Sequence, residues 1–265
     1  MIRLVDSILR VVTAPPRRSP DQGLQVLQRA AAVLDRVAAA PGQLRLADLG
    51  PLLELPKTTT HRIVTALEHE GLLRIDGDGR IWLGPRLQRW AGDARDQLVA
   101  QARPLLVELA RTTGETADLS VQIGATAVFI DQVASNHRLR AVSAVGDAFA
   151  LHTCANGKAM LATFDDDDAV RIAGSLDPLT DATISDPEAL VAALEQVRSA
   201  GLAEDRGEHT SGICALGVAV VDASGQRIAL SVPVPSERFG PSRTQISDAL
   251  VRARRSLAEL VGSPA

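Results

Sequence analysis

Two cysteines and the histidines near them are the residues of this chain best suited to covalent or metal chemistry. Cys154 stands two positions after His152, and Cys214 five positions after His209. A thiol nucleophile needs a base within hydrogen-bond reach and a third group that orients the base. In an extended segment His152 and Cys154 would share one face, so a hydrolase-like Cys/His arrangement is one reading of the sequence. No Gly-x-Ser-x-Gly elbow or similar activating context accompanies them. The same four side chains are soft-metal ligand types that zinc would take tetrahedrally. Their spacing matches no such site, and lone His and Cys residues are more often satisfied structural residues. The expectation is no metal, no cofactor and no catalysis. "FDDDDAV" at 164–170 fits a solvated helix N-terminus better than a cation site.

A different chemistry, recognition of phosphates and base edges, is offered by "PKTTTHRIVTALEHEGLL" at 56–73. Pro56 suits the entry to a helix, a threonine hydroxyl can satisfy the free N–H groups there, and Gly71 supplies the stop. On a helical wheel Thr59, Thr60, Ile63, Val64, Ala66 and Leu67 fall on one side, and Lys57, Thr58, His61, Arg62 and Thr65 on the other. Thr59 and Thr60 are therefore expected to pack inward by their methyl groups. The outward set concentrates hydrogen-bond donors in the first two turns, where the helix dipole also favours phosphate. That face can enter a DNA groove, although a polar helix face of this kind can equally be only solvated.

Composition limits what these groups can do. A chain of 265 residues, 46% hydrophobic, is long enough for one or two domains with a real core. Aromatic residues make up 2% and Tyr is absent, which argues against recognition of single-stranded nucleic acid by stacking. Two cysteines support no disulfide framework, so a reducing cytoplasm is the default setting. The opening "MIRLVDSILRVVTAPPRR" is a short amphipathic lead; Asp6 and the brevity of its apolar run argue against a signal peptide. No stretch is long and apolar enough to span a bilayer. The net charge of −4 conceals an asymmetry: residues 1–90 carry 13 Lys and Arg against 9 Asp and Glu, net +4, and the remainder 15 against 23, net −8. The basic N-terminal part permits a DNA partner.

The elements that must position these residues are legible in outline. Apolar spacing from Gln22 to Ala39 predicts a first helix. "RLADLGPLLELP" predicts a short second one interrupted at Gly50 and Pro51, and the 56–70 helix is third. "LLRIDGDGRIWLG" predicts a β-hairpin turning on Asp-Gly-Asp-Gly. Three helices and a hairpin make a winged helix-turn-helix, whose third helix reads the major groove while the hairpin, here carrying Arg80, flanks it. Residues 85–112 predict a long linker helix broken at Pro104. Beyond it, "TADLSVQIGATAVFIDQVAS" and "GICALGVAVVDASGQRIALSVPV" each predict a strand pair. "GKAMLATF" and "PEALVAALEQVRSAGLA" between them are helical. Strand pairs with helices on one face make an α+β sensor-like domain. The expected division is an extension over 1–19, a DNA-binding domain over 20–84, a linker over 85–103 and a sensor domain over 104–265.

Three segments in order, "LPKTTTHRIVTALEHEGLLRIDGDGRIWLGPRL", "GDAFALHTCANGKAMLATF" and "ISDPEALVAALEQVRSAGLAEDRGEHTSGI", resemble the IclR-type family of bacterial transcriptional regulators over residues 22–262. The resemblance implies an N-terminal winged helix-turn-helix, a linker helix and a C-terminal GAF-like mixed α/β domain that binds a small organic effector. It also implies double-stranded operator DNA as a partner and assembly into a homodimer or homotetramer; because symmetric dimers match palindromic half-sites, part of the interface is expected along the first helix or the linker. The resemblance carries Cys154, Ala155, Asn156, Asp205, Cys214 and Ser231 into the effector pocket, closed by Leu151 and the strand 216–221. A Gly-containing loop entering a helix at "ANGKAM" would offer backbone N–H groups to a carboxylate.

The chain departs from the family pattern in three places. Glu54 replaces the turn glycine before "LPK", which would distort the turn. Ala215 replaces the pocket cysteine, with Cys214 one residue early and so directed to the other side of its strand. Pro233 replaces the second serine of a Ser-x-Ser strand. A pocket with fewer polar handles should prefer a larger or more apolar ligand than a two- or three-carbon acid.

Overall fold

The computed structural model describes residues 20–263; the extension expected over residues 1–19 lies outside them. The chain divides into two compact units between Ala94 and Arg95.

In the first unit, α1 (Pro20–Ala39), α2 (Leu46–Leu52) and α3 (Lys57–His69) precede a hairpin of β1 (Leu73–Ile75) and β2 (Ile81–Leu83). Val33 and Val37 of α1, Leu49 of α2, Ile63, Val64 and Leu67 of α3, and Leu73 and Ile81 of the hairpin form one buried cluster. This is the winged helix-turn-helix that the spacing predicts. α2 runs through Gly50 and Pro51 rather than stopping there. Pro51 stands in its last turn, where a missing N–H costs a single bond, and Asp48 closes the first turn by accepting the Arg45 backbone N–H at 2.8 Å. The turn that follows is kept. Glu54 takes φ of 52°, the one non-glycine residue with positive φ among those described, so it adopts the left-handed conformation of the glycine it replaces. Gly71, with φ of 68°, ends α3 as expected, the Leu72 N–H reaching back to the Leu67 carbonyl at 2.8 Å.

α4 (Pro85–Thr113) is unbroken at Pro104, contrary to expectation. Ala102, Leu106 and Leu109 are buried on either side of the proline, and that burial outweighs the one backbone bond it removes.

The second unit is built on a six-stranded antiparallel sheet in the order β5-β4-β3-β8-β7-β6. Its strands are β3 (Ala117–Ile123), β4 (Thr126–Val133), β5 (Ala148–Ala150), β6 (Ala203–Arg206), β7 (Ile213–Val221) and β8 (Arg227–Pro235). Helices cover both faces, not one. The C-terminal part of α4 and α8 (Ser236–Leu260) pack through Leu106, Leu109, Phe239, Ile246, Leu250 and Leu257 against Leu216, Val218 and Leu230. On the opposite face lie α5 (Ala155–Leu161), α6 (Asp166–Ala173) and α7 (Pro187–Ala200), with Leu151, Met160, Leu161, Leu190 and Leu194 in their core. Asp165 caps α6 by accepting the Asp168 N–H at 2.8 Å, so the acidic run is a helix start. α8 is absent from the sequence-based expectation, and so are the two edge strands β5 and β6.

Candidate functional site

α3 begins behind Pro56 with no side-chain cap. The threonine expected to supply one does the reverse: the Thr60 hydroxyl donates to the Pro56 carbonyl at 3.2 Å. No side chain therefore competes for the first-turn N–H groups. Thr60 is buried and Thr59 half-buried, while Lys57, Thr58, His61, Arg62 and Thr65 are exposed, as the wheel requires. Ala66 departs from it by being exposed, since it lies at the edge of the apolar arc beside Thr59. His61 and Thr65 sit one turn apart, Nδ1 to Oγ1 at 3.4 Å. In the wing, Asp76 accepts the backbone N–H groups of Asp78 and Arg80 and the Trp82 indole N–H, and those bonds hold its carboxyl below the usual carboxylate range. Arg80 is exposed, but one guanidinium nitrogen donates to the Gly42 carbonyl at 2.8 Å. It ties the wing to the α1–α2 turn.

In the second unit the registers place a row of side chains on one face of the sheet. Asp118 pairs with Ser231 across β3 and β8, Pro233 with Ala215 across β8 and β7, and Ala215 with Asp205 across β7 and β6. α5 is laid against this face at very close range. A Cβ added to Gly157 would come within 2.1 Å of the Leu151 carbonyl oxygen, and one added to Gly217 within 3.0 Å of the Ala155 carbonyl carbon. Gly217 thus lets the start of α5 reach the sheet, and Gly157 lets α5 fold back closely on the turn at Leu151, with the helix and the sheet facing each other. Between them is a cavity of about 290 Å³ lined by the expected Cys154, Ala155, Asn156, Asp205 and Ser231, and by Ala215 and Pro233.

Three expectations fail. Cys214 does not line the cavity; it packs with Leu216 and Val218 on the opposite face of the sheet, as the one-residue offset from Ala215 dictates. The residues of 216–221 that point the same way close the α8 side instead, and Leu151 is buried beneath α5 with Met160 and Leu161. The His152–Cys154 segment is not extended. Leu151–Thr153 is a 3-10 turn, His152 Nε2 lies 3.2 Å from the Asp177 carbonyl oxygen, and the Cys154 thiol caps α5 by accepting the Gly157 N–H at 3.4 Å. Burial pushes the Cys154 thiol up to about 12.

The cavity also holds residues that the sequence did not single out for it, chiefly Asp118, Phe129, Phe149, Arg140 and His209. Phe149 stacks on His209 at 3.6 Å between ring centroids and meets Phe129 edge-on at 4.8 Å. Burial raises the Asp118 carboxyl to about 7 against the opposing hydrogen bond from Gln132 Nε2 at 2.6 Å. Burial likewise raises Asp205 to about 6, although its Oδ1 accepts the Glu208 N–H at 2.8 Å. Asn156 donates from Nδ2 to the Ser120 hydroxyl at 2.7 Å. Behind Asp205, the buried Lys158 ammonium lies 2.5 Å from the Glu208 carboxylate.

Family models agree with this architecture in both units. The IclR helix-turn-helix domain matches residues 26–77 and the bacterial transcriptional regulator IclR C-terminal domain residues 94–259. The chain belongs to the IclR family of bacterial transcriptional regulators. It is 43% identical to the HTH-type transcriptional regulator Rv1719 of Mycobacterium tuberculosis over 231 residues, which is 86% of this chain and 89% of that one. The IclR crystal structure from Thermotoga maritima is similar at a TM-score of 0.59 and 25% identity, covering 90% of this chain and 99% of that one. An IclR homolog from Microbacterium hydrocarbonoxydans, complexed with 4-hydroxybenzoate, shares the fold at a TM-score of 0.55 and 22% identity, covering 88% of this chain and 99% of that one. The protein is a DNA-binding transcriptional regulator of IclR type, and no described helix is long and apolar enough to cross a membrane.

Proposed function

We propose that this regulator reads double-stranded operator DNA with the exposed face of α3, through Lys57, Thr58, His61, Arg62 and Thr65, with the wing beside it. We infer that it senses a small organic effector in the cavity between α5 and the sheet. It works in the cytoplasm as a homodimer or homotetramer and catalyses no reaction. The observation that carries the sensing role is that Cys154, Ala155, Asn156, Asp205 and Ser231, drawn from three separate segments, meet at one cavity of about 290 Å³, a size and a mixture of apolar wall and few polar groups suited to a small ligand. A neutral thiol that caps a helix, next to a histidine engaged with a backbone carbonyl, lacks the activated base a nucleophile needs.

Ser231→Leu tests the assignment by filling the cavity from its floor. It should abolish the melting-temperature rise produced by any small molecule that stabilises the wild type, while ligand-free operator binding stays near the wild-type level. A variant that kept its ligand response would place the effector elsewhere. Asn156→Ala is the less clean test, since it also strips the Ser120 hydroxyl of its partner.

A further inference from the structure

The polar interior of the cavity is made mainly of acceptors. Asp118 and Asp205 both line it, 1% and 5% exposed. Asn156 gives one of its two amide N–H groups to Ser120, which leaves the other N–H and the carbonyl oxygen as the groups it can turn to a ligand. Cations do not balance this. Lys158, next to Asp205, is already bound by both oxygens of Glu208. Arg140 belongs to the exposed mouth, where it donates to the His137 carbonyl at 3.3 Å. His209 is stacked on Phe149, and burial lowers its readiness to take a proton. Phe149 stacked on His209, with Phe129 edge-on to it, forms one aromatic wall of the cavity.

Resting on the reading of this cavity as the effector site, we propose that it selects a ligand carrying a protonated amine on an aromatic or similarly flat apolar group, with Asp118 as its counter-ion and Asp205 as a second acid farther along the same cavity. Asp118 is the specificity-determining residue. A carboxylate placed beside Asp118 would meet another carboxyl in a low-dielectric interior, and like charges there repel strongly. An ammonium supplies the missing donors, and the aromatic wall adds favourable contact with a cation.

The charge state of the empty cavity gives the proposal a pH signature. The groups facing Asp118 are Gln132 from β4 and Ser231 from β8, while Ser143 and the exposed Arg140 line the same cavity from the loop before β5; those facing Asp205 are Glu208, Lys158 and the thiol of Cys154. With the carboxyls held up at about 7 and about 6 by burial, an entering ammonium must displace their protons. Amine binding therefore tightens as pH rises from 6 to 8. An acid ligand needs those protons kept and behaves in the opposite sense.

The test measures binding of phenethylamine, 3-phenylpropionate and 2-phenylethanol to the full chain by calorimetry at pH 6 and pH 8, with tyramine, tryptamine and benzylamine as further amines. The expected result is that amines bind at pH 8 at least about tenfold more tightly than the matched acid and alcohol, lose affinity at pH 6, and lose about tenfold in Asp118→Asn. The melting temperature of that variant without ligand shows whether it is folded, and Asp205→Asn serves as the second variant. The proposal is overturned if the acid or the alcohol binds as well as the amines, if no amine binds, or if amine binding ignores both substitutions. Should the acid win and Ser231→Leu abolish its binding, the ligand class falls and the effector cavity stands. Should binding survive Ser231→Leu, the cavity assignment itself falls.

Discussion

Glu54 shows how a single residue can carry strain without changing the fold. Its φ of 52° lies where a side chain costs about 1–2 kcal/mol that glycine does not incur, partly offset by the greater freedom glycine has in the unfolded chain. Glu54→Gly should therefore raise stability by a net amount of about 0.5–1 kcal/mol, read as a higher urea midpoint with an unchanged slope.

Asp118 makes a pH-dependent prediction at the same scale. Its folded value is raised to about 7 by burial, above the unfolded value of about 3.9, so between the two the native state binds the extra proton. Stability from this group is complete below about pH 4 and is lost as pH rises through about 7. The advantage of Asp118→Asn over the wild type should consequently be small near pH 5, grow up to about pH 7 and level off by pH 8, by up to about 1.4 kcal/mol for each unit of the shift. Asp205, raised to about 6, leaves a smaller slope of the same sign in the variant. Urea titrations at pH 5, 6.5 and 8 measure both.

At the scale of elements, the sequence rules that worked were those with a local cause. Turn residues marked β1–β2, β3–β4 and β7–β8, and helical spacing marked α1, α3 and α7. Pro51 and Pro104 were expected to interrupt helices because the proline rule is local, whereas the burial of Ala102, Leu106 and Leu109 that overrides it in α4 is tertiary. Gly240 and Pro241 obscure the start of α8, although Ile246, Leu250 and Leu257 behind them keep helical spacing and are fully buried. The site divides the same way. Parity along one strand was enough to send Cys214 away from the cavity and leave Ala215 in it. Asp118 was not legible, since its place there depends on β3 pairing with the distant β8.

α3 and the wing carry separate expectations. Arg62 is exposed on α3, so Arg62→Ala should weaken operator binding by about 1–3 kcal/mol if it reads a base, or flatten the salt dependence by about one phosphate contact, with melting unchanged. Arg80→Ala removes the bond to Gly42 and should lower thermal stability as well as DNA affinity. An electrophoretic shift series at several salt concentrations, paired with melting curves, separates the two.

For the whole molecule, charge alone cannot hold it on DNA. Residues 1–90 carry only +4 and the complete chain −4, too little for a strong sequence-independent hold through counterion release. Specific affinity must then come from base contacts, and one winged helix reaches only a few base pairs. A two-fold dimer doubles the contact by matching symmetric half-sites. The first unit also leaves apolar side chains uncovered: Leu27 of α1 is 72% exposed and Val26 44%, and Trp90 of α4 is 49% exposed. Large exposed apolar side chains of this kind on a helix suit a protein interface. We expect light scattering at micromolar concentration to give two or four times the chain mass of 28.0 kDa. Leu27→Glu should shift that distribution toward the monomer and weaken binding to a palindromic operator far more than to a single half-site, because the second half-site then adds nothing. A wild-type particle of 28.0 kDa that bound palindrome and half-site with equal affinity would show that one chain suffices and that α1 faces water.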